Sequence, residues 1–181
     1  MADRFFVLTG GPGAGKTTLV EALRAEGFAT TEEAGRGVIR EEMQEGGAAL
    51  PWADRERFAE RMFDWERASY RQAEREEGCV FFDRGLPDTL GYLDLEGLAV
   101  PARMEEEAWR LRYNTQVFVA PPWPAIFGQD EERRQSWQVA LRTHETMVRT
   151  YTRFGYTLVE LPLAPVSERV RFVLGRLEAA V

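Results

Sequence analysis

Near the N-terminus, Gly10-Gly11-Pro12-Gly13-Ala14-Gly15-Lys16-Thr17-Thr18 combines the residue types that a bound polyphosphate demands. The run satisfies the pattern of Gly, four residues, Gly-Lys-Ser/Thr at every required position. Such an anion needs several backbone N–H groups converging on it, and residues without a Cβ let the chain coil tightly and approach closely. A helix starting at the end of the loop adds the partial positive charge of its N-terminus. Lys16 is placed to reach the β- and γ-phosphates and the Thr17 hydroxyl to ligate Mg²⁺, while Thr18 falls in the first helical turn. Of the 23 basic residues all but Lys16 are arginine. A slender ammonium threads between phosphate oxygens where a broad guanidinium fork does so poorly.

Two further groups of reactive side chains follow short apolar runs. Glu32-Glu33-Ala34-Gly35-Arg36 comes after Phe28-Ala29-Thr30-Thr31, and Asp83-Arg84-Gly85-Leu86-Pro87-Asp88 comes after Cys79-Val80-Phe81-Phe82. An acid straight after a buried strand, in one sheet with the glycine loop, holds a water of Mg²⁺ opposite Thr17, so Asp83 is expected at the metal. Arg84 beside it can pair with a phosphate or a carboxylate. From spacing alone the Glu32 to Arg36 group reads equally as a solvated helix start or as a substrate contact. In the second reading Glu33 is the first choice for positioning or deprotonating an acceptor hydroxyl, with Asp83 second, and Arg36, Asp88 and Trp52 join the expected acceptor side. For Trp52, beside Pro51, stacking on a substrate ring competes with packing on the following helix. Arg133 and Arg134 either place positive charge over a migrating phosphoryl group or mark a charged helix start. The sole histidine, His144, lies on an apolar stripe and is expected as a satisfied, partly buried side chain.

These groups require alternating strands and helices to position them. Residues 4–9, 28–31, 79–82, 115–120 and 156–161 read as strands. Helices are expected after the glycine loop, to about residue 44, over 52–78, 88–95 and 101–112, from 128–134 onward, and at the C-terminus. The third carries a stripe of Phe58, Met62, Trp65 and Ser69, and the sixth one of Trp137, Leu141, His144, Val148 and Tyr151. This alternation predicts an α/β fold, a parallel sheet covered on both faces, in a single domain over 1–181 with a lid segment at about 124–136. A chain of 181 residues with 44% hydrophobic content is long enough for one sizeable core. Its net charge of −7 argues against a nucleic-acid partner. No apolar run approaches the roughly 18 residues of a membrane span, and no signal-peptide pattern is present. The single Cys79 excludes an intramolecular disulfide, which suits a reducing cytoplasm. A small-molecule acceptor is the expected partner, for a monomer or a homodimer.

With these residues assembled, the chain resembles the nucleoside and nucleotide kinase branch of P-loop proteins. More closely, it is similar to the small family labelled AAA-type ATPases that is grouped with the ribosylnicotinamide kinase domain. The matching pieces are residues 10–17, Glu33-Ala34-Gly35-Arg36, Asp83-Arg84-Gly85 with Pro87-Asp88, and Asp130-Glu131-Glu132-Arg133 with Arg134 and Gln135. The resemblance implies a three-layer sandwich around a five-stranded parallel sheet of order 2-3-1-4-5, a small helical lid, and ATP and Mg²⁺ as ligands. It also implies that Glu33 and Arg36 belong to the acceptor site and that Arg133 or Arg134 is a lid arginine. The expected activity is phosphoryl transfer from ATP to a small metabolite. The alternative is a nucleotide-hydrolysing ATPase or GTPase switch, since Asp88-Thr89-Leu90-Gly91 fits an Asp, two residues, Gly pattern. An Asn-Lys-X-Asp guanine reader cannot exist in a chain whose only lysine is Lys16.

Overall fold

A computed structural model of the chain describes residues 2–127 and 136–178, the side chain of Glu178 excepted. Five strands, β1 (Phe5–Gly10), β2 (Ala29–Thr30), β3 (Val80–Asp83), β4 (Gln116–Ala120) and β5 (Thr157–Glu160), form one sheet in the order β2-β3-β1-β4-β5. All neighbouring pairs are parallel. Seven helices connect and cover the strands among the described residues: α1 (Lys16–Ala25), α2 (Ala34–Glu45), α3 (Arg55–Ala73), α4 (Leu86–Leu95), α5 (Ala102–Arg110), α6 (Trp137–Arg153) and α7 (Val166–Glu178).

The sheet is apolar on both faces because parallel strands need crossover helices on each side. Phe5, Val7, Val80 and Phe82 point to one face, packed by α2 to α6; Phe6, Leu8, Phe81 and Phe118 point to the other, packed by α1 and α7. From β1 the chain goes to one side for β2 and β3, then crosses to the other for β4 and β5. Ligands of such sheets bind in the crevice beyond the strand ends where the direction of winding reverses. Here that point is the end of β1, from which the glycine loop springs. No helix among the described residues is long and apolar enough to cross a membrane.

Element ends shift from the sequence expectation where caps decide them. The third helix starts at Arg55 because the Asp54 side chain accepts from the Arg57 N–H at 3.0 Å. It stops at Ala73, where the Arg4 guanidinium donates to the carbonyls of Ala73 and Glu74. The fourth begins at Leu86, two residues early, since Pro87 is tolerated in a first turn that lacks N–H partners anyway. The buried face of α3 is Phe58, Met62, Phe63, Glu66 and Tyr70, with Trp65 and Ser69 only partly covered. In α6 the buried face is likewise offset, to Ala140, Thr143, Met147, Thr150 and Tyr151. Small and hydroxylated residues fit there because α6 lies against backbone, and Thr143 bonds its hydroxyl back to the Val139 carbonyl at 2.8 Å. His144 is half-buried on the flank of that face, and its Nδ1 has no hydrogen-bond partner among the described residues. The predicted helix opening over 128–134 and most of the expected lid lie outside the described residues.

Two glycines set how closely the elements meet. At Gly10, with φ +129°, an added Cβ would stand 2.4 Å from the Ala120 carbonyl oxygen of β4. At Gly11 it would stand 2.4 Å from the Ala140 carbonyl oxygen of α6. The phosphate-binding pattern leaves position 11 free, yet the packing of α6 does not. Gly11→Ala is therefore expected to lower stability by about 1–3 kcal/mol through displacement of α6. Urea denaturation of the two proteins measures this, and an unchanged midpoint would show that the helix yields freely.

Candidate functional site

The loop between β1 and α1 curls through left-handed turns at Gly13 and Gly15, and Gly15 caps α1. Lys16, the first residue of that helix, is 5% exposed, and its Nζ donates to the carbonyls of Gly11 at 2.7 Å and Gly10 at 3.3 Å. Burial, then the adjacent Arg84 charge, lowers its ammonium to about 8, against the opposing pull of Asp83, Glu33 and Asp88. Gly10, Gly11, Pro12, Gly13 and Ala14 complete the curl; Thr17 is partly covered and Thr18 exposed in the first turn of α1. A coil of this shape, closed by a helix N-terminus and an ammonium, can hold several anionic oxygens at once.

The loop is braced from behind by a residue the sequence did not single out. Arg169 of α7 is 3% exposed and donates to the carbonyls of Gly15 at 3.1 Å and Ala14 at 3.2 Å. Its guanidinium carbon lies 5.9 Å from the centre of the Trp123 ring. Ahead of α6, Phe127 covers Gly13 and stacks edge-on with Trp137 at 5.2 Å.

Arg84 joins the loop to the second group of side chains. Its φ of +75° is the one non-glycine value in the left-handed region among the described residues, a conformation that costs about 1–2 kcal/mol and persists where surroundings enforce it. Its Nη1 donates to the Gly10 carbonyl and to Asp88 Oδ1, each at 3.1 Å, and its Nε to Glu33 Oε1 at 3.1 Å. Glu33 also pairs with Arg36 at 3.2 Å. Burial pushes the Glu33 carboxyl up, but Arg84, Lys16 and Arg36 outweigh it and hold the group below the usual carboxylate value. Asp88, 5% exposed, is saturated. Its Oδ1 accepts from Thr9 Oγ1 as well as Arg84, and its Oδ2 accepts from the Gly85 N–H at 3.0 Å and the Tyr151 hydroxyl at 2.5 Å.

Asp83 differs. It ends β3 beside Leu8, is 4% exposed, and its Oδ1 has no hydrogen-bond partner among the described residues. Burial first and Glu33 second push its carboxyl up to about 6, with Lys16 and Arg84 pulling down. A buried oxygen without a partner, next to an anion cradle, is suited to a cation or its water.

The structure thus gathers Lys16, Glu33, Asp83, Arg84 and Asp88 into one charge network at the end of β1, with Arg36 on its rim. Trp52 stands 66% exposed in the loop before α3. Arg133 and Arg134 lie outside the described residues. Besides Arg169, sequence reasoning missed Thr9, Tyr151 and Glu66; the last is fully buried and has Asp88, Asp83, Arg84 and Glu33 as its charged surroundings.

Comparison with known proteins gives the same framework. A family model described as an AAA domain matches residues 5–169. Deoxyadenosine kinase from M. mycoides with products dCMP and a flexible dCDP bound is similar at 14% identity and a TM-score of 0.67, with 97% of this chain and 99% of that one covered. The NadR protein in complex with NR is similar at 21% identity and a TM-score of 0.66; this chain, covered over 96%, spans 50% of it. Shikimate kinase from Aquifex aeolicus follows at 15% identity, 97% and 97% coverage and a TM-score of 0.55. These likenesses establish the shared P-loop kinase fold, with its five-stranded order. No curated protein matches the chain.

The raised Asp83 value has a consequence for stability. A carboxyl that binds its proton more tightly when folded stabilises the protein below about pH 4 and loses that contribution as pH rises through about 6. Asp83→Asn is expected to raise the melting temperature at pH 7.5 without added nucleotide, by the equivalent of about 1–3 kcal/mol, and to converge with wild type near pH 4.5. Scanning calorimetry across that range checks both; a lower-melting variant at pH 7.5 would contradict the burial argument.

Proposed function

The chain belongs to this AAA domain family, and on that premise we propose that it transfers the γ-phosphoryl group of ATP to a hydroxyl or phosphate oxygen of a small nucleoside- or nucleotide-like metabolite. The observation that carries the proposal is the junction at Arg84, one guanidinium shared between the glycine loop and the Glu33 carboxylate. It couples a polyphosphate cradle to a second polar site, which plain hydrolysis does not need. Kinase activity in the deoxyadenosine kinase and shikimate kinase relatives supports the same class.

In this proposal Gly10, Gly11, Pro12, Gly13, Ala14, Gly15, Lys16, Thr17 and Thr18 hold the phosphates. Lys16 exchanges its two loop carbonyls for phosphate oxygens, whose negative charge favours its ammonium form. Thr17 and Asp83 would hold Mg²⁺, for which the unpartnered Asp83 Oδ1 is a fitting ligand directly or through water. When bound, the ion supplies positive charge at the β- and γ-oxygens. Glu33, kept ionised by Arg84 and Arg36, accepts the acceptor hydroxyl's proton as the new P–O bond forms and the bond to the departing ADP oxygen breaks. Arg36, Arg84, Asp88 and Trp52 make up the acceptor side. Arg133 or Arg134, on a lid at about 124–136 of a single domain, adds positive charge over the migrating group. The setting proposed is the cytoplasm.

ADP release measured against a panel of nucleosides, nucleoside monophosphates and other hydroxylated metabolites tests this. At least one compound is expected to stimulate release tenfold or more, and Lys16→Ala to lower the stimulated rate by at least about a hundredfold with an unchanged circular dichroism spectrum. Retained activity in the variant would remove the assignment. Hydrolysis indifferent to every compound would favour the nucleotide-dependent switch.

A further inference from the structure

The inward face of α3 carries Phe58, Met62, Glu66 and Tyr70 at intervals of four. Three are ordinary core residues, and the fourth is an acid. Glu66 is 1% exposed, and its Oε2 has no hydrogen-bond partner among the described residues. A buried polar group left in this way costs about 1–3 kcal/mol, and more if charged. A leucine in the same place would avoid that cost, so packing does not explain the acid.

The neighbours on each side place it. One turn earlier, Met62 and Phe58 close over Gly35, where an added Cβ would lie 3.5 Å from Met62 Sδ, 3.8 Å from Phe58 Cζ and 3.9 Å from Glu33 Oε1. One turn later, Tyr70 meets Tyr113 edge-on at 5.4 Å. The Tyr113 hydroxyl accepts from the Leu86 N–H at 3.1 Å, and its ring stands against Gly85. Glu66 therefore sits between the turn that carries Glu33 and the turn that follows Arg84. The groups facing it are Asp88, Asp83 and Glu33, which repel a negative charge, and Arg84, which attracts one. Burial comes first and, with those acids, holds its carboxyl well above the ordinary value, which favours the protonated form. A protonated carboxyl offers an O–H donor beside a carbonyl acceptor.

We infer that Glu66 is a specificity-determining residue of the acceptor site, where its carboxyl pairs with an acceptor presenting an N–H donor beside an oxygen or nitrogen acceptor, the edge of a carboxamide or of an amino-substituted nucleobase. That edge matches the carboxyl with two hydrogen bonds and satisfies the oxygen now without a partner. Sites built to bond such a group reject analogues lacking it far more strongly than apolar pockets discriminate by size. The inference rests on the kinase proposal for the location of the acceptor, and on Glu66's own surroundings for its chemistry.

Calorimetric titration of wild type, Glu66→Gln and Glu66→Leu tests it with paired probes: adenosine against purine riboside, cytidine against zebularine, and nicotinamide riboside against nicotinic acid riboside. MgATP is titrated separately. In wild type at least one probe bearing the N–H is expected to bind tenfold or more tightly than its counterpart. Glu66→Leu is expected to reduce that ratio to within twofold, while Glu66→Gln, which keeps a donor beside an acceptor, retains it. Without ligand, the leucine variant is expected to melt at or above the wild-type temperature, where a structural role for Glu66 would lower it. Undiminished discrimination in the leucine variant, a lower melting temperature for both variants, or binding of no N–H probe by a wild type that binds MgATP would each overturn the inference. Failure of the wild type to bind MgATP would overturn the kinase proposal itself, and this inference with it.

Discussion

The Arg84 guanidinium is the joint of this molecule. One side chain holds the Gly10 carbonyl at the mouth of the glycine loop, the Glu33 carboxylate at the start of α2, and Asp88 in the first turn of α4. Three elements remote in sequence are thereby set at fixed distances. Lysine could not do this, because its ammonium is a point charge without a planar fork. The left-handed backbone at Arg84 belongs to the same device, since it turns the residue after β3 back toward the end of β1, where its N–H donates to the Leu8 carbonyl.

That joint is held in turn by Asp88. Four donors, from β1, the turn after β3, α6 and Arg84 itself, share its two oxygens. A buried carboxylate would be costly alone, and truncating it would strand Tyr151, Thr9 and one arm of the fork together. The Tyr151 hydroxyl, a donor in this arrangement, is raised well above its ordinary value, by burial first and then by Asp88. The network explains why α6 packs so tightly on the glycine loop that Gly11 has no room for a Cβ. The glycine-loop end of the sheet and the core are one construction.

Much of this was legible in the chain. The glycine loop declares itself through residue types that only close backbone approach requires, and alternating apolar runs gave the strands to within a residue or two. The acids and arginine after β2 and β3 were legible as candidates because strand ends in a parallel sheet point to one crevice. What stayed hidden depends on distant partners. Arg169 meets Gly15 across 154 positions and Tyr151 meets Asp88 across 63, so local pattern carries no trace of either bond. Glu66 was concealed differently. The stripe read on α3 ran through Phe58, Met62, Trp65 and Ser69, whereas the buried face turns to Phe63, Glu66 and Tyr70, where hydrophobic spacing does not place an acid. The α6 stripe was misplaced by about one position because threonines satisfied by their own helix can occupy a buried face that hydrophobicity assigns elsewhere.

The charge balance limits what such a site can take. Glu33 and Asp88 are met by Arg84, and Arg36 adds to Glu33, so little free positive charge is left over for an incoming anion. The Lys16 ammonium is already depressed by burial and by Arg84, and the Arg169 guanidinium is turned to the carbonyls of Ala14 and Gly15. A polyphosphate entering this cradle would meet too few cations unless others came with it. On the kinase proposal, Asp83 has the role of recruiting one of them as a bound ion, and Arg133 or Arg134 that of supplying another. A group of acids around a single lysine then makes physical sense: the resting charges neutralise one another, and the cations that complete the site arrive with the nucleotide, which couples phosphoryl transfer to full assembly.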